Sequence, residues 1–365
     1  MADSPSDSGK LDAVLVGLGR SGAELHIPIL HKLSQVNPRT PFRRVAAIVD
    51  IDSKKLDRAY HRLSDDYNYP ADSVVRATSI AALTSVDPQT VVVHICTPAK
   101  DHLDSVKAAA EAGFRRFIVE KPCAGSAESV TAMLRLAEQQ TLSIAVVNPY
   151  LYSESVAKCK KAIEARTTPN YIEFELSKPR KSPTLQQRSS AESVFDVELP
   201  HQIATVLHLL QPVRYAVLRA DVRDMHYKQA NDPCIVVNNM GLGIITLQLD
   251  TTVAVLVSYL DAYTRTRALR VRFNDHEEIV ANLPVTEEDH TAEIVTFGSP
   301  DENGYAPQAA KEKYADDLFT SCLDALYTRL STQSFLATDL EFNQRVVNIM
   351  DQAKALSRVR KFART

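Results

Sequence analysis

Long hydrophobic runs, net charge and cysteines are all scarce in this sequence, and each shortage excludes a class of protein. No apolar run reaches the roughly 18 residues that a membrane-spanning helix needs. The 42 basic and 45 acidic residues leave a formal net charge of −3, which gives no reason to expect a polyanion as a partner. We therefore expect neither a membrane nor a nucleic acid among the partners of this protein.

The 5 cysteines are widely spaced and odd in number, and they form no C-x-x-C motif or Cys/His cluster. This pattern argues against a disulfide framework and against a zinc site. The simplest interpretation is that they are buried thiols in a reducing cytoplasm and that no metal is bound. Residues 1–10 are small and polar without the hydrophobic core of a secretory signal, so we expect a flexible tail there.

What the sequence does contain, near its start, is a G-x-G-x-x-G motif between an apolar strand, Leu11–Val16, and a helical pattern. In such a strand–turn–helix, the first glycine allows the turn, the second lets the backbone approach a pyrophosphate, and the third lets helix and strand pack closely. The helix N-terminus also attracts phosphate. The motif therefore predicts a dinucleotide site made by five residues: Gly17, Gly19, Arg20, Ser21 and Gly22.

Asp50 closes the second apolar strand, which covers residues 43–49. An acidic residue at this point is placed to bind the ribose hydroxyls of NAD and to repel the 2′-phosphate of NADP. Two other interpretations stay open, because Asp50 can instead cap the helix that starts near Ser53, and Lys54 and Lys55 can receive a 2′-phosphate. The sequence favours NAD(H), with NADP(H) as the alternative.

Another apolar strand, Thr90–Cys96, ends at Thr97 and Pro98, and His102 follows in the first turn of the next helix. Ligands bind beyond the carboxyl ends of parallel strands, so these three residues are candidates for cofactor binding. For His102, a hydrogen bond to the loop is an equally good explanation.

The tripeptide Glu120-Lys121-Pro122, after the strand 116–119, is the sharpest chemical signal. A lysine at the mouth of a parallel strand can donate a hydrogen bond to a substrate oxygen, and burial would bring its pKa down toward the working range. Pro122 restricts Lys121 to an extended conformation or permits a cis bond, so the side chain is aimed. The competing interpretation is an ordinary surface lysine.

The alternation of strands and helices predicts a doubly wound parallel sheet over residues 11–150. Residues 213–279 read instead as strands joined by short turns, at 239–243 and 274–276, which indicates an antiparallel sheet. Two helices, 311–330 and 338–357, finish the chain. The basic segment 178–190 reads as a solvated loop, with a lid that recognises an anionic substrate group as the alternative.

These residues together resemble the Gfo/Idh/MocA (glucose–fructose oxidoreductase/inositol dehydrogenase) family, and the resemblance extends over essentially the whole chain. It rests on the glycine motif, Asp50, Thr97-Pro98 with His102, Glu120-Lys121-Pro122, and Asn148. It implies an α/β plus α+β protein. An N-terminal Rossmann domain would be followed, over 151–365, by a domain with a large open, mostly antiparallel sheet and flanking helices. A C-terminal helix able to pack back on the first domain is part of this expectation.

Members of this family move a hydride between NAD(P) and a hydroxyl or carbonyl carbon, commonly of sugars and cyclitols. The resemblance implies a dehydrogenase or reductase for a sugar-, aminosugar- or cyclitol-like small molecule, with a biosynthetic role as one option. It also implies a homodimer or homotetramer formed through the second sheet. Glu120, Lys121 and Asn148 would then contact the cofactor, and the substrate would meet Lys121, Tyr150, Tyr152 and His201.

His201 stands at the start of a helix, where the family usually has an acid four residues earlier and another three residues later. Here those positions are Val197 and Ala204. A histidine titrating near neutrality suits proton transfer, with Glu198 or Asp196 as the carboxylate that orients it. The departure leaves that carboxylate open and supports a second hypothesis, a non-catalytic NAD(P)-binding regulator. A third is an imine or enone reductase with the same lysine–histidine pair.

Overall fold

The computed structural model describes residues 9–70, 73–179, 193–227, 235–285, 290–301, 307–332 and 338–362. The chain forms two compact units, Met1–Asn148 with Phe319–Val347, and Pro149–Leu318 with Asn348–Thr365. Residues 319–347, which the sequence-based division kept in the second domain, therefore count with the first unit.

The first unit is built on a six-stranded parallel sheet with the strand order β3-β2-β1-β4-β5-β6. Its strands are β1 (Leu11–Val16), β2 (Phe42–Val49), β3 (Val75–Ala77), β4 (Val91–Ile95), β5 (Arg116–Val119) and β6 (Ser143–Val146). All residues of β1, β4 and β6 are buried, as expected for strands covered on both faces.

The helices of the parallel sheet lie between these strands: α1 (Ile27–Val36), α2 (Ser53–His61), α3 (His102–Glu111) and α4 (Ala127–Gln140). The helical run after the glycine motif does not begin as an α-helix, because residues Arg20–His26 form a π-helix that continues into α1. Such wider turns hold one extra residue and are frequent at functional sites.

The second unit is built on an eight-stranded sheet with the order β14-β13-β12-β11-β7-β10-β9-β8. Its strands are β7 (Tyr171–Pro179), β8 (Tyr215–Tyr227), β9 (Ile235–Leu249), β10 (Thr252–Tyr259), β11 (Asp261–Arg272), β12 (Glu278–Asn282), β13 (Thr291–Phe297) and β14 (Gln308–Ala315). The pair β7 and β10 is parallel, and the other pairs are antiparallel.

The remaining helices are α5 (Glu154–Glu164), α6 (Val194–Val197), α7 (Leu199–Leu210), α8 (Leu318–Thr332) and α9 (Thr338–Phe362). Leu340 and Val347 of α9 are buried in the core of the parallel sheet, which explains why this stretch counts with the first unit. Among the helices of the described ranges, none combines the length and the apolar character that crossing a membrane requires.

Two sequence-based assignments in the second unit are wrong. Residues 239–243 lie inside β9 rather than in a turn, and a Cβ added to Gly241 would lie 2.3 Å from the carbonyl oxygen of Asp224. The glycine therefore allows two strands to approach closely at a register shift.

The helix expected from residue 311 begins at Leu318, because Gln308–Ala315 is a strand at the sheet edge. Its residues are almost all exposed, so no apolar alternation marked it.

Candidate functional site

The predicted cofactor residues of the first unit follow neighbouring strands at one edge of the parallel sheet. The amide of Gly17 donates to the last carbonyl of β2 at 2.9 Å, that of Cys96 to the last of β1 at 2.8 Å, and that of Glu120 to the last of β4 at 3.0 Å. The loops after β1, β4 and β5 therefore leave the sheet side by side. The strand order reverses between β1 and β4, which is where open parallel sheets bind ligands.

The three glycines of the motif meet three different environments. Gly17 has φ of +90°, and a Cβ there would lie 2.7 Å from the amide nitrogen of Thr97. A Cβ on Gly22 would lie 2.1 Å from the carbonyl oxygen of Gly17. Gly19, in contrast, has extended backbone and nothing within 4 Å of an added Cβ. The second glycine thus opens onto free space in front of the helix start, and this space fits the pyrophosphate of a dinucleotide.

Asp50 holds the glycine turn from the end of β2. Its Oδ2 accepts the Leu18 amide at 2.7 Å, and its Oδ1 accepts the Asp52 amide at 2.9 Å. The cap of α2 is Asp52, whose side chain accepts the amide of Lys54, so the interpretation of Asp50 as that cap is wrong. The carboxylate therefore stands beside the turn, where a ribose of a bound dinucleotide would lie.

His102 lies between the loops that follow β4 and β5. Its Nε2 lies 2.8 Å from the carbonyl oxygen of Thr97, and its Nδ1 lies 3.2 Å from that of Cys123. Burial lowers the pKa of His102, although the carbonyls of Thr97 and Cys123 oppose this. A neutral imidazole has one N–H, and the shorter distance assigns it to Thr97. This is the loop-bonding arrangement that was expected as an alternative, while Pro98 beside it is exposed.

Glu120 is buried, and its carboxylate holds the backbone of the neighbouring lysine. Glu120 Oε2 accepts the Lys121 amide at 3.1 Å, and Oε1 lies 2.8 Å from Nε2 of His26. Burial would raise the pKa of Glu120, but the hydrogen bond and charge of His26 lower it below its ordinary value. Lys121 itself is half-buried, and the Lys121–Pro122 peptide bond is cis.

We expect the stabilising effect of His26 to fade above neutral pH. Burial disfavours its charge, but Cys96 and Glu120 beside it outweigh burial and raise the pKa of His26 from 6.5 to about 10, while burial and His26 lower that of His94. A raised pKa stabilises the fold fully below pH 6.5, and this contribution is lost as the pH rises toward 10. Urea unfolding should therefore give a wild-type advantage over His26→Gln that shrinks as the pH rises through this window. A constant difference would contradict the assignment.

Asn148, at the carboxyl end of the parallel sheet, is buried and bonded within the first unit. Its Nδ2 donates to Oδ1 of Asn343 at 3.2 Å, and Asn343 in turn donates to the carbonyl of Asp339 at 2.8 Å. The predicted cofactor residue is therefore attached to α9.

In the second unit, two predicted substrate residues lie together. The ring of Tyr150 meets His201 edge-on, with 5.4 Å between centroids and 67° between planes, and it also meets Phe174 at 5.4 Å. Burial raises the pKa of Tyr150 to about 12, with Arg267 opposing and Glu198 adding to the rise. The imidazole of His201 is thus packed against a neutral phenol. Tyr152, in the helical turn Pro149–Tyr152, is half-buried.

The two candidate carboxylates differ in their surroundings. Asp196 forms a capping box with Ser193 and an ion pair with Lys354 of α9, so it closes the start of α6. Glu198 forms an ion pair with Lys178, and its carbonyl accepts the His201 amide at 3.2 Å. Of the two, Glu198 is the one whose charge reaches the Tyr150 ring. The rest of the predicted basic segment, residues 180–190, lies outside the described residues.

The sequence of the first unit matches a known protein family. Residues 11–147 match the model of a family described as an oxidoreductase family with an NAD-binding Rossmann fold, Gfo/Idh/MocA. This stretch of the chain is therefore similar in sequence to the Gfo/Idh/MocA family. Among curated proteins, no sequence matches the chain.

Solved structures with this fold resemble nearly the whole chain. An NAD-binding oxidoreductase from Klebsiella pneumoniae is 16% identical with a TM-score of 0.74, over 97% of this chain and 98% of that one. Levoglucosan dehydrogenase with NADH is 16% identical with a TM-score of 0.73, over 95% and 97%. KijD10, a 3-ketoreductase from Actinomadura kijaniata with NADP, is 14% identical with a TM-score of 0.71, over 95% and 98%. The predicted fold class is confirmed.

Val197 and Ala204, which stand where the Gfo/Idh/MocA pattern usually has acids, are apolar and buried. Val197 is 7% exposed and Ala204 is fully buried. Both therefore serve the core of the second unit.

Sequence reasoning also missed two residues of the first unit, His26 and His94. His94 is the one polar residue of the buried strand β4, and a polar side chain there needs a partner, which was the available signal.

Proposed function

We propose that this protein is an NAD(P)-dependent oxidoreductase that transfers a hydride between nicotinamide and a hydroxyl or carbonyl carbon of a sugar-, aminosugar- or cyclitol-like molecule. The observation that carries this proposal is the edge of the parallel sheet, where the glycine turn, Asp50 and the Glu120–Lys121 step follow neighbouring strands. The similar structures include a 3-ketoreductase and a UDP-N-acetylglucosamine 3-dehydrogenase, which supports carbohydrate chemistry.

The residues have the following roles in this proposal. The bound nicotinamide would supply or accept the hydride. Lys121 donates a hydrogen bond to the reacting oxygen and stabilises the negative charge that grows on it. His201 gives or takes the proton of that oxygen, with its ring oriented by Tyr150 and with Glu198 as the nearby carboxylate.

We further propose that NAD(H) is the preferred cofactor. Asp50 accepts the Leu18 amide of the glycine turn with one oxygen and the Asp52 amide of its own turn with the other, so its negative charge is fixed in place. A fixed anion beside the ribose repels a 2′-phosphate. The similar structures include both NADH and NADP complexes, so the preference rests on Asp50.

Replacing Asp50 with asparagine should move the preference toward NADPH. The amide keeps one acceptor for the Leu18 N–H but removes the repulsive charge. The NADPH-to-NADH ratio of dissociation constants should fall about tenfold, equivalent to roughly 1.4 kcal/mol. Nicotinamide fluorescence titrations measure both constants. Asp57→Asn, an exposed acid of α2, is the matched control. An unchanged ratio in Asp50→Asn would remove the argument for NAD(H).

A substrate panel tests the activity. Sugars, N-acetylaminosugars and cyclitols are offered with NAD⁺ or NADP⁺, and their keto forms with NADH or NADPH, while the absorbance of the reduced cofactor is followed. Turnover of a member of the panel supports the proposal. Tight cofactor binding without turnover favours the regulator hypothesis. Turnover of imines or enones alone favours the reductase that uses the same lysine and histidine.

We also propose that the eight-stranded sheet carries a homodimer or homotetramer contact. Tyr263 is 91% exposed and Leu218 is 51% exposed on strands of this sheet. Large exposed apolar side chains are common where protein chains meet. Light scattering of the purified protein, with Tyr263→Ser as the comparison, measures the oligomeric state; a wild-type monomer would contradict the proposal.

A further inference from the structure

Four buried side chains form one hydrogen-bonded chain that ends at the Glu120–Lys121 step. Tyr327 Oη lies 2.8 Å from Nε2 of His94, and Nδ1 of His94 lies 2.7 Å from Nδ1 of His26. Nε2 of His26 then lies 2.8 Å from Oε1 of Glu120, whose Oε2 accepts the Lys121 amide. The four side chains belong to residues that are at most 6% exposed.

Two proton arrangements satisfy the three bonds that join Tyr327, His94, His26 and Glu120, one with a neutral and one with a charged His26, and the charges around His26 favour the charged one. Cys96 and Glu120, against the effect of burial, raise the pKa of His26, whereas burial and the neighbouring His26 lower the pKa of His94. A charged His26 donates from both nitrogens, to Glu120 and to His94. Neutral His94 accepts at Nδ1 and donates from Nε2 to the oxygen of Tyr327. Glu120 then remains a carboxylate that accepts from both His26 and Lys121.

The stability of the fold does not by itself explain why a charged His26 and a Glu120 carboxylate are paired in the protein interior. A buried ion pair contributes little net stability compared with apolar side chains of similar volume. Here His26 of the pair closes the π-helix Arg20–His26, which begins within the glycine motif. A π-helix turn is frequent at functional sites. The chain therefore joins two features of the cofactor edge, the helix after the glycine turn and the strand end that carries Lys121.

The far end of the chain is supplied by a distant part of the sequence. Tyr327 lies on α8, 233 positions from His94, and its ring packs edge-on against Phe42 of β2 at 5.3 Å. Its side chain is fully buried. The hydroxyl of Tyr327 on α8 is therefore connected, through three hydrogen bonds and the Glu120 carboxylate, to the backbone of Lys121.

We propose that His26, His94 and Tyr327 are positioning residues, which hold the Glu120 carboxylate and through it fix the backbone from which the Lys121 side chain reaches the substrate oxygen. This inference rests on the proposed function for the role of Lys121. The hydrogen bond from the Lys121 amide to Glu120 can be measured without any turnover.

The test compares His26→Gln, Glu120→Gln and Tyr327→Phe with the wild type and with His61→Gln, an exposed histidine of α2 that serves as control. Hydrogen–deuterium exchange of the peptide containing Lys121 measures the bond to Glu120, and fluorescence titration measures NADH affinity. Steady-state rates on the best substrate of the panel separate kcat from KM.

In His26→Gln and Glu120→Gln, exchange at the Lys121 amide should speed up about tenfold or more, and kcat should fall about 10- to 100-fold, as for other supporting residues of a site. NADH affinity and KM should stay within about threefold. Tyr327→Phe keeps the ring but loses the hydroxyl group. In this variant, exchange at the Lys121 amide should speed up about threefold and kcat should fall about threefold. The His61→Gln control should match the wild type.

The proposal is overturned if exchange at Lys121 and kcat stay at wild-type values in these variants while only the thermal midpoint falls, because the chain would then serve stability alone. If His26→Gln does not fold, Tyr327→Phe decides by the same two measurements. If the wild type turns over nothing, the proposed function fails separately, and the exchange result still decides whether the chain holds the Lys121 backbone.

Discussion

Replacing Lys121 with alanine should lower kcat by about 100- to 1000-fold, the usual cost of losing one preorganised donor to a developing oxyanion. NADH affinity should stay within about twofold, because the glycine turn and Asp50 would be untouched. The lysine follows a buried strand, and its amide is held by the Glu120 carboxylate. Steady-state kinetics and fluorescence titration on the same preparation measure both quantities.

Two comparisons make this result specific. Lys121→Met keeps an apolar stem but no donor, and it should lose as much activity as the alanine variant. Lys107→Ala removes an exposed lysine of α3 that pairs with Asp104 on the surface, and it should behave as the wild type. Activity retained in Lys121→Ala would end the assignment of this residue to the reacting oxygen. A parallel loss of NADH affinity would move Lys121 into cofactor binding.

Adding one methyl group at Gly19 should abolish most of the cofactor affinity without destabilising the fold. The backbone of Gly19 is extended, and an added Cβ would touch nothing within 4 Å, so the protein itself accepts alanine. The methyl group would stand where the backbone must approach the pyrophosphate. We expect the NADH dissociation constant to rise about 100-fold, equivalent to roughly 2.7 kcal/mol, with an unchanged urea midpoint.

Gly22→Ala is the comparison variant, because there the added methyl group would clash with the protein itself. Its Cβ would lie 2.1 Å from the carbonyl oxygen of Gly17, which belongs to the backbone and cannot rotate away, so this variant should unfold at lower urea concentration. Urea unfolding and NADH titration of the two variants therefore distinguish a glycine that makes room for the cofactor, Gly19, from a glycine that makes room for the protein's own backbone, Gly22. Equal NADH affinity in Gly19→Ala and the wild type would show that the open space in front of Gly19 does not receive the cofactor.

How far the sequence predicted this fold depended on how local each signal was. The strands of the parallel sheet are short apolar runs that end in turn residues, and the principal ones were found from these runs alone. The strand Val75–Ala77 has three residues, too few to show a period. The sequence predicts a turn at Gly241 because a glycine between two strand patterns does not reveal a close approach of two backbones.

The candidate site divides in the same way. Gly17, Asp50, Thr97 and Lys121 could be predicted because each follows a strand of one parallel sheet, and the carboxyl ends of such strands share an edge. The partners of Asp196 could not be predicted, because its ion pair with Lys354 joins residues 158 positions apart. The pattern of one helix gives no information about a side chain so distant along the chain.

By itself, the sequence determined the glycine turn, the strand–helix alternation and the lysine at the end of β5, since each depends on residues a few positions apart. Only the tertiary structure decided that Glu120 meets His26, that His26 meets His94, and that His94 meets Tyr327, across separations of 94, 68 and 233 positions. The physical reason is burial. A polar group removed from water must find a partner wherever the packed chain offers one, and that choice is made in space rather than along the sequence.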